Sequence, residues 1–164
     1  MATTDSRLIL STDYELFFHR SGSVQKCLLE PGDRLLEFTA RHGMQMTFFV
    51  VAGMLRCFDR QASEYRVLAA DVRAVREQLR RISAAGHELG LHVHPHWEDT
   101  RLVDGAWDFS DTRYRLDRFS DDEVADIFAS NFALLQDLSD APVVSYRAGG
   151  FCIEPFDRIA PHLE

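Results

Sequence analysis

Short apolar runs alternate with longer amphipathic stretches along this chain, and that alternation sets the expected fold. Arg7 to Asp13, built around Leu8-Ile9-Leu10, is short, apolar and polar at its end, which reads as a buried strand. From Pro31 the pattern turns helical. Proline suits a first helical turn, Leu35, Leu36 and Thr39 supply an inward face, and Gly43 supplies the stop. Met46 to Val51 is rich in aromatic and β-branched residues and predicts a second strand. Val67, Leu68, Val72, Val75, Leu79 and Ile82 then recur at helical spacing, with arginines on the other side, until Gly86. Leu89 to His94 is a third strand. Glu98 to Phe119 has no clear period, carries two aspartate-rich turns and reads as a long loop over the site. Ser120-Asp121-Asp122-Glu123 has the form of a capping box and opens a helix with Val124, Ile127, Phe128, Leu135 and Leu138 on its face. Pro142 breaks that helix, Val143 to Tyr146 is a fourth strand, and Pro155 to Leu163 reads as the start of a further helix.

Strands separated by helices argue for a parallel sheet with crossover connections, so the expected class is α/β. Four strands are too few to close a barrel and fit an open sheet or half of something larger. The 164 residues, 46% of them hydrophobic, suffice for one domain with a sizeable core. A formal net charge of -8 with no evident basic face argues against nucleic acid and anionic membranes as main partners. No run approaches the ~18 apolar residues of a membrane span, and Met1 to Ser6 lacks the features of a secretory leader. A cytoplasmic location is the resulting expectation. The three cysteines, Cys27, Cys57 and Cys152, are widely spaced with no CxxC pair, so neither a disulfide framework nor a cysteine-held zinc is expected.

In parallel α/β folds, chemistry gathers at the carboxyl ends of strands. Three strand ends here carry polar clusters: Asp13-Tyr14-Glu15, His92-Val93-His94-Pro95-His96, and Arg147-Ala148-Gly149-Gly150. Four of the seven histidines fall between residues 87 and 96, and neutral imidazole is a common ligand for transition metals. On an extended strand, residues 92, 94 and 96 face one way. His92 and His96 would then be ~13 Å apart at Cα, so they share an ion only if the chain turns near Pro95. His92 and His94 chelate on a straight strand, and both pairings stay open. His87, at the other end of the strand, reads as structural. Asp13 and Glu15 face one way and can serve as metal ligand or general base. Arg147 can clamp a carboxylate, and Gly149 and Gly150 let backbone approach a ligand.

These segments resemble the polysaccharide deacetylase (NodB-homology) family. The match rests on Met46-Thr47-Phe48-Phe49-Val50 and on the run from Gly86 to His96, which ends in H-x-x-x-H. The resemblance implies His92 and His96 as metal ligands, Asp13 as base and Glu15 as third ligand, the last by similarity to an Asp-x-Asp variant. It implies a divalent ion, Zn²⁺ in the first instance. It implies a distorted parallel (β/α) barrel of the seven-stranded deacetylase type, of which residues 1–164 form a single domain, the N-terminal part. Two departures stand out: Tyr14 replaces the usual second aspartate, and Arg147-Ala148-Gly149-Gly150-Phe151 lacks the usual proline. The family's later bracing aspartate and general-acid histidine are not found, and His162 has the wrong surroundings for the acid, so weak turnover or none is expected of these residues alone.

The expected function is metal-dependent hydrolysis of C–N amide bonds, removing N-acetyl groups from an amino sugar or polysaccharide. Arg147 would orient Asp13, and backbone N–H groups near Gly149 and Gly150 would help bind the oxyanion. Two other readings stand beside it: allantoinase-like hydrolysis of a non-sugar amide, and a degenerate domain that binds glycan or metal without turnover.

Overall fold

The structure, a computed structural model, describes residues 8–16 and 22–163, so Met1 to Ser6 and Arg7, the expected start of the first strand, lie outside the described residues. Strand β1 (Ser11–Tyr14) precedes a π-helical turn (Gln25–Leu29) that runs into α1 (Glu30–His42). Strand β2 (Thr47–Val51) passes directly into α2 (Ala52–Gln61), then come α3 (Arg66–Ala84) and β3 (Glu88–Val93). A short hairpin, β4 (Arg101–Val103) and β5 (Ala106–Asp108), precedes α4 (Asp121–Leu138) and β6 (Tyr146–Ala148).

Strands β1, β2, β3 and β6 form one parallel sheet in that order. Parallel neighbours in chain order, joined by right-handed crossovers, carry their helices on one face and curl the sheet around the other. The result is a mixed α/β molecule with a curled four-stranded half-barrel. Alternation along the strands divides the two faces. Tyr14, Phe48, Val50, Leu89, Leu91 and Val93 are buried towards the helices. Ser11, Asp13, Phe49, Gly90, His92 and Arg147 alternate with them, and the register sets Asp13 beside Phe49 and His92 beside Arg147.

Several elements differ from the sequence expectation. Leu8 and Ile9 are 76% and 84% exposed, and pairing begins only at Ser11. Val67 is exposed and lies off the buried face of α3. The fourth strand lies at Tyr146–Ala148 rather than Val143 to Tyr146, and Val144 is exposed. The segment from Pro155 forms two 3-10 turns, Phe156–Arg158 and Ala160–His162, instead of a helix. The loop of residues 98–119 contains the antiparallel hairpin, turned at Asp104 and Gly105, both with positive φ.

That hairpin is fastened by aromatic packing. Trp97 meets Phe58, Trp107 and Phe109 edge-on at 5.9, 5.5 and 5.2 Å between centroids, and Trp107 stacks on Phe58 at 4.8 Å. Gln61 of α2 accepts the Leu102 N–H at 2.8 Å, and Arg56 and Arg60 both pair with Glu98. The segment over the strand ends is therefore anchored to α2.

Candidate metal centre

Tyr14 explains why Asp13 and Glu15 are presented as they are. Its ring points into the helix layer, where the hydroxyl donates to Gln78 Oε1 at 2.7 Å. Gln78 Nε2 in turn donates to the Leu29 carbonyl and to Asp33. Pinning residue 14 on the helix side leaves residues 13 and 15 on the opposite side. Glu15 reaches across β2 towards β3, with Oε2 2.9 Å from His94 Nε2 and 3.8 Å from His92 Nε2. Glu15, His92 and His94 place their ligand atoms within 4.8 Å of one another, and all three side chains are largely buried.

The chemistry of this donor set fits a divalent cation. His92 Nδ1 lies 2.8 Å from the Arg147 carbonyl oxygen. A carbonyl only accepts, so Nδ1 holds the proton and the neutral ring turns the lone pair of Nε2 towards Glu15 and Asp13. Burial keeps His92 below the ordinary histidine range, outweighing the bond to Arg147, which acts to raise it. A lone pair and two carboxylates thus converge. His94 Nδ1 is buried with no hydrogen-bond partner among the described residues. Ligand atoms of a four-coordinate zinc stand about 3.4 Å apart, close to the spacings seen here. The Glu15–His92–His94 group could hold a metal ion.

Asp13 stands at the rim, with Oδ2 4.0 Å from His92 Nε2. Arg147 Nη1 donates to Asp13 Oδ1, and Nη2 donates to Ser11 Oγ at 2.7 Å. The guanidinium lies 3.9 Å over the Phe49 ring. Gly90 makes room for that ring, since a Cβ there would stand 2.7 Å from it. Arg147 is thus held from three sides.

His96, after the turn at Pro95, lines the same cavity but stands outside the trio. Its ring packs against His94 at 5.3 Å and stacks on Tyr114 at 5.7 Å and 14°. Burial, followed by the charge of His94, pushes its pKa down to about 3. Gly150 lines the cavity in a left-handed conformation (φ 57°), with Tyr114 Oη where a side chain would stand. At Gly149 a Cβ would collide with the Val93 carbonyl and come within 2.7 Å of the His94 ring. The bare glycine lets β6 pack behind His94. His162 stacks on Phe128 at 5.3 Å.

The cavity measures about 390 Å³ and opens at the strand ends. A larger one, about 660 Å³, lies between α3 and the hairpin. Its walls are mostly apolar, with Asp71 as the carboxylate among the described residues, which offer it no convergent polar groups. Sequence reasoning missed Ser11, Phe49 and Tyr114. Ser11 was findable, lying two residues before Asp13 on the same strand face. Tyr114 had no local signal, because only tertiary folding brings its loop to the histidines.

No helix among the described residues is long and apolar enough to cross a membrane. Comparison with protein-family models and with curated proteins finds no match to this chain.

Proposed function

We propose that the chain is a metal-dependent hydrolase of C–N amide bonds, acting on the N-acetyl group of an amino sugar, free or within a glycan. One observation carries this reading: the Glu15–His92–His94 group and the Arg147-held Asp13 share one strand-end cavity. Glu15, His92 and His94 would hold the ion, and two imidazoles with one carboxylate suit Zn²⁺. Such an ion, when bound, acidifies water and polarises an acyl carbonyl.

Asp13 takes the proton of the attacking water, from a position at the rim of the trio. Arg147 holds that carboxylate in place, with Ser11 and Phe49 fixing the guanidinium. The water oxygen bonds to the carbonyl carbon, the C–N bond breaks, and the nitrogen leaves with the proton Asp13 took. The Arg147 carbonyl fixes the His92 tautomer, so one residue serves both halves of the site. In the same reading the four strands are the first part of a seven-stranded barrel of the polysaccharide deacetylase type. Its support is the sequence from Gly86 to His96 and the Met46–Val50 strand.

The test is acetate release from N-acetylglucosamine oligomers by the zinc-loaded chain, beside Asp13→Asn. Release that a chelator stops and Asp13→Asn abolishes is the expected result. Release from a linear or cyclic non-sugar amide alone would move the substrate class. Zinc and glycan bound with no turnover on either substrate type would sink the hydrolase reading.

A further inference from the structure

We propose that Tyr114 is the side-chain donor to the acyl oxygen of the substrate in this cavity, an assignment that rests on the hydrolase reading above. Three observations carry it. The first is position. Tyr114 forms a wall of the cavity that holds Asp13 and the metal trio, its ring parallel to His96 and 6.2 Å from His94 between centroids.

The second is the seat of the hydroxyl. Gly150 adopts a left-handed conformation, and a Cβ there would collide with Tyr114 Oη. A glycine at this point lets the phenol oxygen come down onto the backbone just after β6, in a cavity that Arg147 and Ala148 also line. The third is rigidity. Residues before Tyr114 are fastened to α2 through Trp97, Trp107 and Phe109. Arg113, its immediate neighbour, donates to Glu123 at 2.7 Å and lies 3.7 Å over the Phe119 ring. Donors that need no reorganisation are the ones that stabilise developing charge.

A phenol holds its proton at neutral pH, so it can donate without changing charge. As the water oxygen bonds to the carbonyl carbon, the π pair moves onto the acyl oxygen. The Tyr114 O–H donates to that oxygen and keeps its proton. When the carbonyl re-forms, the C–N pair departs with nitrogen, which takes its proton from Asp13.

The experiment compares the zinc-loaded chain with Tyr114→Phe and Gly150→Ala, using 4-nitroacetanilide, whose weakly basic leaving amine needs little acid assistance. Metal content and far-UV circular dichroism are measured on each. Tyr114→Phe should keep metal and fold, leave KM near the parent's, and lower kcat by about 10²–10³-fold, the usual cost of one oxyanion donor. Gly150→Ala, which unseats the hydroxyl without removing it, should reproduce part of that loss. A Tyr114→Phe variant with the parent's kcat overturns the assignment while the hydrolase reading stands. Loss of metal in Tyr114→Phe also overturns it, by making the ring a structural support of the site. A parent chain that holds zinc and releases neither 4-nitroaniline from this probe nor acetate from N-acetylglucosamine oligomers overturns the hydrolase reading and this inference together.

Discussion

His94 and His96 flank Pro95, and the direction of the chain there decides which of them shares an ion with His92. The strand geometry persists to His94, whose Nε2 stands 2.9 Å from Glu15, and the chain turns only at Pro95–Glu98. His96 is carried into the stack with Tyr114 instead. His94→Ala is therefore expected to weaken zinc binding by more than the ~10–100-fold typical of outer-shell partners. His96→Ala should stay within that range. A competition titration against a chromogenic chelator measures both, and the reverse ranking would return the ligand role to His96. Some of this site was legible beforehand. Asp13 and Glu15 share a face by the period of two, and Tyr14 between them faces the core for the same reason. The close packing at Gly149 was not legible, because only the structure shows the His94 ring and the Val93 carbonyl against it. The approach of Tyr114 depends on a loop fastened elsewhere, so no spacing in the sequence encodes it.

Among the elements, those with one buried face were readable and those without were not. Helix α4 keeps its capping box, with the Ser120 N–H donating to Glu123 Oε2 at 2.7 Å, and buries the expected face. Helix α2 is not apparent from the pattern because its first turn, Ala52 to Leu55, is buried all round and continues the apolar run of β2, and polar positions enter only with Arg56, Asp59 and Arg60. Strand β6 pairs from Tyr146 onward, where the register aligns Arg147 with His92, rather than along the more apolar Val143-Val144. His87, read as structural, ties three elements together. Its Nδ1 accepts the Met46 N–H at 3.3 Å, and its Nε2 lies 3.1 Å from Thr39 Oγ1 on α1. Burial holds its pKa below the ordinary value. The unfolded chain therefore binds more protons than the folded one in that window, so stability rises with pH there and is lost as pH falls below about 6.5. His92 and His96, also pushed down by burial, act in the same direction. In metal-free buffer, Tm should fall from pH 7 towards pH 5, and His87→Gln should show a shallower slope. An unchanged slope in that variant would mean His87 is not held neutral.

At the scale of the molecule, the sheet order β1-β2-β3-β6 does the organising. Because the strands follow one another in space as in sequence, their carboxyl ends lie side by side, and their curl draws three polar termini into one cavity of about 390 Å³. The alternation of strands and helices announced the parallel α/β class, but sheet order and curl are tertiary facts that four short strands do not encode. The curl also gathers negative charge on an already acidic chain, with Asp13 and Glu15 facing the His92 lone pair. A cation between them is the central claim. Its most direct measurement is the metal content of the purified chain, by plasma mass spectrometry after zinc loading and desalting, beside His92→Ala. Near one equivalent in the parent, lost in the variant, is the expected result. A parent that stays metal-free after zinc has been supplied would contradict the claim and reduce the strand-end cluster to a fold feature.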